Sequence, residues 1–389
     1  MKEIIILTST YYKPHFGGVE NSLFFLAKEY IKSGRKVIIV TSDTPLSKKN
    51  RLITNDFDED IEIIRYKRYI PKVYLDYVLK PYIDILRLKK IFKFLSKKYK
   101  INNVISRSPE TAVASIKFGF KTSYLVPGIV KTQNFVKVKS IFDVKSFFLN
   151  VIVISPIVFF QKKALLGSNQ VFVFSHNMKN QLFSFLKKKI NTKKVNPGVD
   201  SLKFNKTKKI NKKSFVFLIV GRLIKDKGID LAITSLAKLK DNKTILLIIG
   251  DGPERNILEK LSIDLNVQER IIFKGKITEN IETYYQNSDC LLMSSRMETF
   301  GQTILEALSV GLPIIGWKSS SIIKTATSEI IENKKNGYLI DFEPDAMSNA
   351  MLKILSLSDK ELEIIKNNNY NLAREKYVWG KLSNDLIKL

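Results

Sequence analysis

Glu298-Thr299-Phe300-Gly301-Gln302-Thr303-Ile304-Leu305-Glu306, continued by Ala307-Leu308-Ser309-Val310-Gly311-Leu312-Pro313-Ile314-Ile315, decides how the rest of this 389-residue chain is read. A loop turns at Gly301, enters a helix, leaves it at Gly311 and feeds a short apolar strand beside Pro313. One glutamate precedes the helix and the other lies inside it. The free N–H groups and positive dipole end of a helix start favour an anion such as a diphosphate. Glu298 and Glu306 then stand where they accept hydrogen bonds from hydroxyl groups on either side of that anion. Hydroxyls flanking a diphosphate describe a nucleotide sugar. A solvated loop and helix with two surface glutamates has the same local sequence, so the rest of the chain must decide between the two.

The length allows two domains of ordinary size, each with its own core, and a hydrophobic content of 44% fits a folded protein. The single cysteine, in Asp289-Cys290-Leu291-Leu292-Met293, reads as part of a buried strand. One cysteine excludes an internal disulfide, and with two histidines no zinc cluster is expected, so a reducing cytosol is the expected compartment. The first apolar run, Ile4-Ile5-Ile6-Leu7, is too short for a signal peptide and reads as a first strand. A formal charge of +28 fits nucleic acid, an anionic membrane surface, or lysine spread over the whole exterior. The lysines occur in both halves, and no zinc finger, ribonucleoprotein motif or basic zipper is present, so nucleic acid is not the expected partner.

In chain order, the first strand leads through Tyr11-Tyr12-Lys13-Pro14-His15-Phe16-Gly17-Gly18 to a helical pattern at 21–33, and then to a strand at 36–41. Strand, glycine loop, helix, strand is the unit that builds parallel sheets. Gly17-Gly18 lets backbone approach a ligand, or simply makes a turn. Residues 72–100 interleave Tyr74, Tyr77, Tyr82, Ile85, Phe92 and Leu95 with Lys80, Arg87, Lys89, Lys90 and Lys93. Such a helix lies in a membrane interface or packs on a core with its lysines in water. Strands are expected at 101–106 and 121–126. The apolar run at 147–160 is shorter than the ~20 residues of a spanning helix and is interrupted by Asn150, Ser155 and Pro156. After a further strand at 170–175, the lysine- and asparagine-rich 203–214 marks a domain boundary.

A second series opens with Phe215-Val216-Phe217-Leu218-Ile219-Val220 and Gly221-Arg222-Leu223-Ile224-Lys225-Asp226-Lys227-Gly228. A helix at 229–239, a strand at 244–249, Gly250-Asp251-Gly252-Pro253 and a strand around Ile271-Ile272-Phe273 lead to the Cys290 strand and the opening stretch. This half therefore reads as doubly wound as well.

The chain resembles the retaining glycosyltransferases of the GT-B fold, in particular glycosyltransferase family 4, over nearly its whole length. Gly221-Arg222 with Lys227-Gly228, Gly250-Asp251-Gly252-Pro253, Lys274-Gly275 and Glu298 through Glu306 follow the family's order and spacing, with Gly17-Gly18 before them and Tyr377-Val378-Trp379 after. The resemblance implies an α/β architecture of two doubly wound Rossmann-like domains facing a cleft: 1–205 for the acceptor, 206–370 for the nucleotide sugar, and a C-terminal helix at 371–389 returning to the first domain. It implies catalytic roles for Arg222, Lys227 and Glu298. Gly17, Gly18, Gly221, Gly250, Gly252, Phe300, Gly301, Gln302, Thr303 and Glu306 would bind the donor, with Glu306 on the ribose and Glu298 on the transferred sugar. No metal and no other cofactor is implied, since fixed cations such as Arg222 and Lys227 neutralise a leaving diphosphate.

The expected reaction is retaining transfer of a sugar from a nucleoside-diphosphate sugar to a hydroxyl of an envelope glycan or lipid-linked acceptor, in the cytoplasm or on the inner face of the cell membrane. A non-catalytic sugar-nucleotide or glycan-binding module and a basic nucleic-acid-binding protein are the alternatives. One departure stands out. Many relatives carry a histidine where this chain reads Ser123-Tyr124-Leu125-Val126-Pro127-Gly128, whereas here the two histidines are His15, after the first strand, and His176.

Overall fold

Runs such as Ile4-Ile5-Ile6-Leu7 and Phe215 to Val220 lack any alternation of polar and apolar residues, the pattern of strands covered on both faces. The computed structural model describes residues 3–15, 17–44, 52–72, 76–130, 154–206, 214–240, 243–298, 300–320 and 322–388. It forms two compact units, Met1–Pro197 with Trp379–Leu389, and Gly198–Val378.

In the first unit β1 (Glu3–Thr8), β2 (Lys36–Ser42), β3 (Asn55–Asp58), β4 (Ile61–Tyr66), β5 (Lys100–Ser106), β6 (Thr122–Leu125), β7 (Gln170–Val173) and β8 (Thr192–Lys194) make one sheet, in the order β3-β4-β2-β1-β5-β6-β7-β8. Every pair is parallel except the β3–β4 hairpin at the edge. One face packs Ile4, Ile6, Val104 and Tyr124 under the helix Asp76–Lys98, and the other packs Ile5, Leu7 and Ile105 against Leu23, Leu26 and Tyr30 of the helix Gly18–Lys32.

In the second unit β9 (Phe215–Val220), β10 (Thr244–Ile249), β11 (Ile271–Gly275) and β12 (Cys290–Met293) are followed by β13 (Met297–Glu298), β14 (Ile314–Trp317), β15 (Lys324–Thr325) and β16 (Gly337–Ile340). A parallel six-stranded sheet runs β11-β10-β9-β12-β14-β16, and β13 pairs with β15 apart from it. Cys290 lies fully buried in β12.

The division falls at Pro197/Gly198 rather than 205/206, because the intervening residues pack on the second unit: the Phe204 ring meets Tyr285 edge-on at 5.4 Å, and Gln286 Nε2 donates to the Asn205 carbonyl at 2.9 Å. At the other end, the helix Asp359–Lys376 belongs to the second unit, with Asn369 Nδ2 donating to the Leu312 and Asn336 carbonyls. Only the helix Trp379–Ile387 joins the first, where Trp379 stacks on Phe25 at 5.2 Å and Tyr30 Oη donates to the Ser383 carbonyl at 2.9 Å.

The helix expected at 21–33 begins at Gly18, with Gly17 as its extended N-terminal neighbour. The aromatic-basic segment is a helix from Asp76 to Lys98 that tolerates Pro81, buries Ile85, Leu88, Phe92 and Leu95, and leaves Tyr77, Leu79, Tyr82, Leu86 and Phe94 exposed; Tyr74 lies outside the described residues. Of the apolar run, 147–153 lies outside the described residues, and the remainder enters the helix Ser155–Gly167. Of the lysine-rich 203–214, residues 207–213 lie outside them. Among the described residues no helix is long and apolar enough to cross a membrane.

Candidate active site

In an open parallel sheet, ligands gather at the C-terminal ends of the strands where the winding reverses. In the second unit the chain runs outward from β9 to β10 and β11, then returns to β12 beside β9, so the reversal lies between β9 and β12. The loops leaving those two strands carry Gly221 to Gly228 and Ser294 to Gly301, the stretches singled out by sequence.

The two loops are fastened to each other. Ser294 Oγ donates to the Lys227 carbonyl at 2.7 Å, Arg296 N–H to the Asp226 carbonyl at 2.8 Å and Arg296 Nη1 to the Lys225 carbonyl at 2.8 Å, while Arg296 Nη2 pairs with Asp230 at 3.2 Å. Gly228 sits at φ +60°, and a Cβ there would run into the Ser294 carbonyl, so glycine permits the approach. This stitching fixes the short 3₁₀ turn Lys225–Lys227 and aims Lys227 back over Gly221. Its Nζ donates to Glu298 Oε2 at 2.6 Å, with the two side chains 25% and 18% exposed. β13 holds Glu298 through its pairing with Lys324–Thr325. Arg222 is exposed, and its guanidinium makes no ion pair among the described residues.

Gly301, at φ +86°, turns the chain into the helix Gln302–Val310. The first amides of that helix, on Gln302 and Thr303, have no partner within it. Phe300 is buried edge-on against Tyr377 at 5.8 Å, Gln302 Nε2 donates to the Gly198 carbonyl at 3.3 Å and Thr303 Oγ1 contacts Met293 Sδ at 3.7 Å. These three side chains anchor the helix start. One turn on, Glu306 accepts from Tyr285 Oη at 2.5 Å. Burial pushes the Glu306 carboxyl above its ordinary 4.5, against the opposite pulls of Tyr285 and Lys203.

Residues 200–371 match the family model of the glycosyl transferases group 1. They form a group 1 glycosyl transferase domain. An uncharacterized glycosyltransferase of Methanocaldococcus jannaschii is 26% identical over 57% of this chain, and the match spans 60% of that protein, less than two thirds of its length. Sucrose-phosphate synthase from Thermosynechococcus elongatus superposes with a TM-score of 0.77 at 18% identity, over 99% of this chain and 97% of that one. HepE of Anabaena, solved in complex with UDP-glucose, gives 0.68 at 16% identity over 99% and 98%. At such identities the likeness establishes the fold, which is GT-B.

Within the group 1 domain, Gly250 and Gly252 have a local explanation. Gly250 lies at φ +138°, and Cβ atoms at the two positions would overlap the Gly221 carbonyl and the Leu223 backbone. The Gly250-Asp251-Gly252-Pro253 turn is laid against the Arg222 loop, with Leu223 N–H on the Asp251 carbonyl at 3.0 Å and Glu254 N–H on the Leu223 carbonyl at 3.0 Å. These glycines shape the loop that carries Arg222. In the first unit, Gly17 is extended with the Glu20 carboxylate 2.7 Å from where its Cβ would sit, and Gly18 faces open space. His15 is engaged, its Nε2 hydrogen-bonded to the Thr44 carbonyl at 2.9 Å and its ring 4.9 Å from that of Tyr11. His176 opens the helix His176–Leu186. Sequence reasoning missed Tyr285, Arg296 and Asp230. Neither residue spacing nor composition signals a tyrosine 21 residues upstream of its glutamate.

Proposed function

We propose that this chain is a retaining, metal-independent glycosyltransferase that moves a sugar from a nucleoside-diphosphate sugar to a hydroxyl of an envelope glycan or lipid-linked acceptor. The observation that carries the reading is the Lys227–Glu298 pair beside the start of the helix Gln302–Val310, with Glu306 one turn along it. The diphosphate takes the Gln302 and Thr303 amides and the charges of Arg222 and Lys227; Glu298 accepts from hydroxyls of the transferred sugar and Glu306 from the ribose. As the anomeric carbon–phosphate oxygen bond breaks, two fixed cations stabilise the charge that accumulates on the diphosphate. The acceptor oxygen bonds to the anomeric carbon on the face the phosphate leaves, and its proton passes to a phosphate oxygen. Charge and protons balance without a protein base. The complex of HepE with UDP-glucose supports a nucleotide-sugar donor for a chain of this fold.

The first unit is assigned the acceptor. Its helix Asp76–Lys98 presents Leu79, Tyr82 and Leu86 on one exposed stripe among lysines, a surface suited to the anionic inner face of a membrane. Flotation with anionic liposomes checks this: protein left wholly in the soluble fraction at low salt removes the membrane from the reading.

The decisive experiment is a thermal-shift screen against uridine, guanosine and adenosine diphosphate sugars, followed by donor turnover with a panel of acceptors. A ligand at 100 times its Kd stabilises the folded chain by about 2.7 kcal/mol. One nucleotide class should raise the melting temperature, and Glu306→Ala should abolish that rise. No response to any nucleoside-diphosphate sugar overturns the assignment, and binding without turnover leaves a sugar-nucleotide-binding module.

A further inference from the structure

The first sheet reverses its winding between β1 and β5, and Arg107 follows β5 at that point, with its N–H on the Thr8 carbonyl of β1 at 2.8 Å. Its side chain is 4% exposed. Nη1 donates to the Leu125 carbonyl of β6 at 3.2 Å, the guanidinium lies 5.2 Å from the centre of the Phe174 ring, and Nε is buried without a hydrogen-bond partner. No carboxylate among the described residues forms an ion pair with it. Of the nearby acids, Glu20 attracts the guanidinium through space without an ion pair, its carboxylate lying against Gly17, and Glu110 accepts from Thr10 Oγ1 at 3.4 Å. Burial lowers the Arg107 pKa to about 10, which leaves it charged at neutral pH. Ser9, Thr10, Ser106 and Ser108, buried at the same strand ends, give the site a polar wall.

A buried cation with no ion-pair partner is costly unless something completes it. The planar fork of a guanidinium matches a carboxylate or phosphate, and strand ends at a winding reversal are where a ligand arrives. We infer that Arg107 anchors an oxyanion carried by the acceptor, so that the acceptor class is an anionic sugar, bearing a carboxylate or a phosphate, rather than a neutral one. The inference rests on the assignment of the first unit to the acceptor. Arg107 binds and selects; it takes no part in bond breaking.

The test uses the full chain with Arg222→Ala and Lys227→Ala, which disables the phosphate cations of the second unit. Glucuronate, glucose 1-phosphate and glucose are titrated calorimetrically into that chain and into the same chain carrying Arg107→Met or Arg107→Lys. At least one oxyanion-bearing sugar should bind tenfold or more tighter than glucose, and which one does so identifies the anion. Arg107→Met should remove that preference, Arg107→Lys should keep part of it, and the melting temperature should stay or rise because a buried charge with no ion-pair partner has gone. Equal binding of all three sugars, or a preference that survives Arg107→Met, overturns the inference, as does a fall in melting temperature on Arg107→Met, which would make the residue structural. In the otherwise wild-type chain, transfer to matched neutral and anionic acceptors at equal kcat/KM defeats the inference and leaves the transferase standing. Arg107-dependent anion binding with no transfer to any acceptor defeats the transferase instead.

Discussion

Lys227 Nζ donates to Glu298 Oε2 at 2.6 Å, joining the turn after β9 to β13 through two partly buried side chains. Each group answers the other's charge, and in the proposed reaction a donor's phosphate and hydroxyls would share them. Lys227→Ala should lower the transfer rate about 10²–10³-fold, the range lost when a preorganised charge-stabilising group is removed. Its effect on nucleotide-induced thermal shift should be smaller, because the helix amides and Arg222 remain. Steady-state kcat and KM, measured beside that shift, separate the two, and an unchanged kcat removes Lys227 from the chemistry.

Burial raises the Glu306 carboxyl above 4.5, and that has a pH signature. A raised folded-state pKa favours the protonated form, so this group's stabilising contribution is fully present below about 4.5 and is lost as pH rises through the elevated value. Glu306→Gln, which cannot ionise, should therefore gain on the wild type as pH rises through that window and then hold a constant advantage. Melting curves of both proteins from acid to neutral pH provide the check, and a pH-independent difference contradicts it.

Much of the second unit is legible in the sequence because parallel strands buried on both faces read as unbroken apolar runs. Phe215–Val220 and Thr244–Ile249 have the expected bounds. The helix with Glu306 inside it is legible for a related reason, since Gly301 and Gly311 both occupy left-handed backbone and bracket it. The β3–β4 hairpin is not: Asn55–Asp58 is short, half-exposed and acidic, and owes its strand conformation to pairing with β4. β13 has two residues and exists only through β15. Tyr285, Arg296 and Arg107 escape for the same kind of reason, since their roles come from neighbours far away in the chain. The helix start at 18 rather than 21 follows from Gly17, which supplies an extended N-terminal neighbour before Asn21 is reached.

Trp379 is 6% exposed and lies in the first unit, while Trp317, the other of the chain's 2 tryptophans, is buried in the second. Trp379→Ala removes a large side chain from the core formed with Leu23, Leu26 and Leu382, at a cost of about 3–5 kcal/mol. The loss should fall on the first unit. In that variant Trp317 fluorescence reports the second unit alone, and far-ultraviolet circular dichroism reports both. The dichroism transition should move down by more than the fluorescence transition; equal shifts would show that the units unfold as one.

Gly18 and Gly250 were expected to serve the same ligand, yet their surroundings differ. Alanine at 250 adds a Cβ that overlaps the Gly221 carbonyl at a φ of +138°, and alanine at 252 overlaps the Leu223 backbone. Strain and steric overlap together should cost roughly 2–4 kcal/mol. Gly250→Ala should thus lower the melting temperature by about 5–15 °C and displace the loop carrying Arg222. At Gly18 a Cβ meets nothing within 4 Å. Gly18→Ala, in the first turn of a helix, should change stability by less than about 0.5 kcal/mol. If backbone at Gly18 closes on the donor's phosphates, that variant will keep its melting temperature while donor turnover drops about tenfold. Unchanged turnover would instead limit Gly18 to starting the helix. Melting curves and turnover measured on the same preparations distinguish a glycine kept for packing from one kept for a ligand.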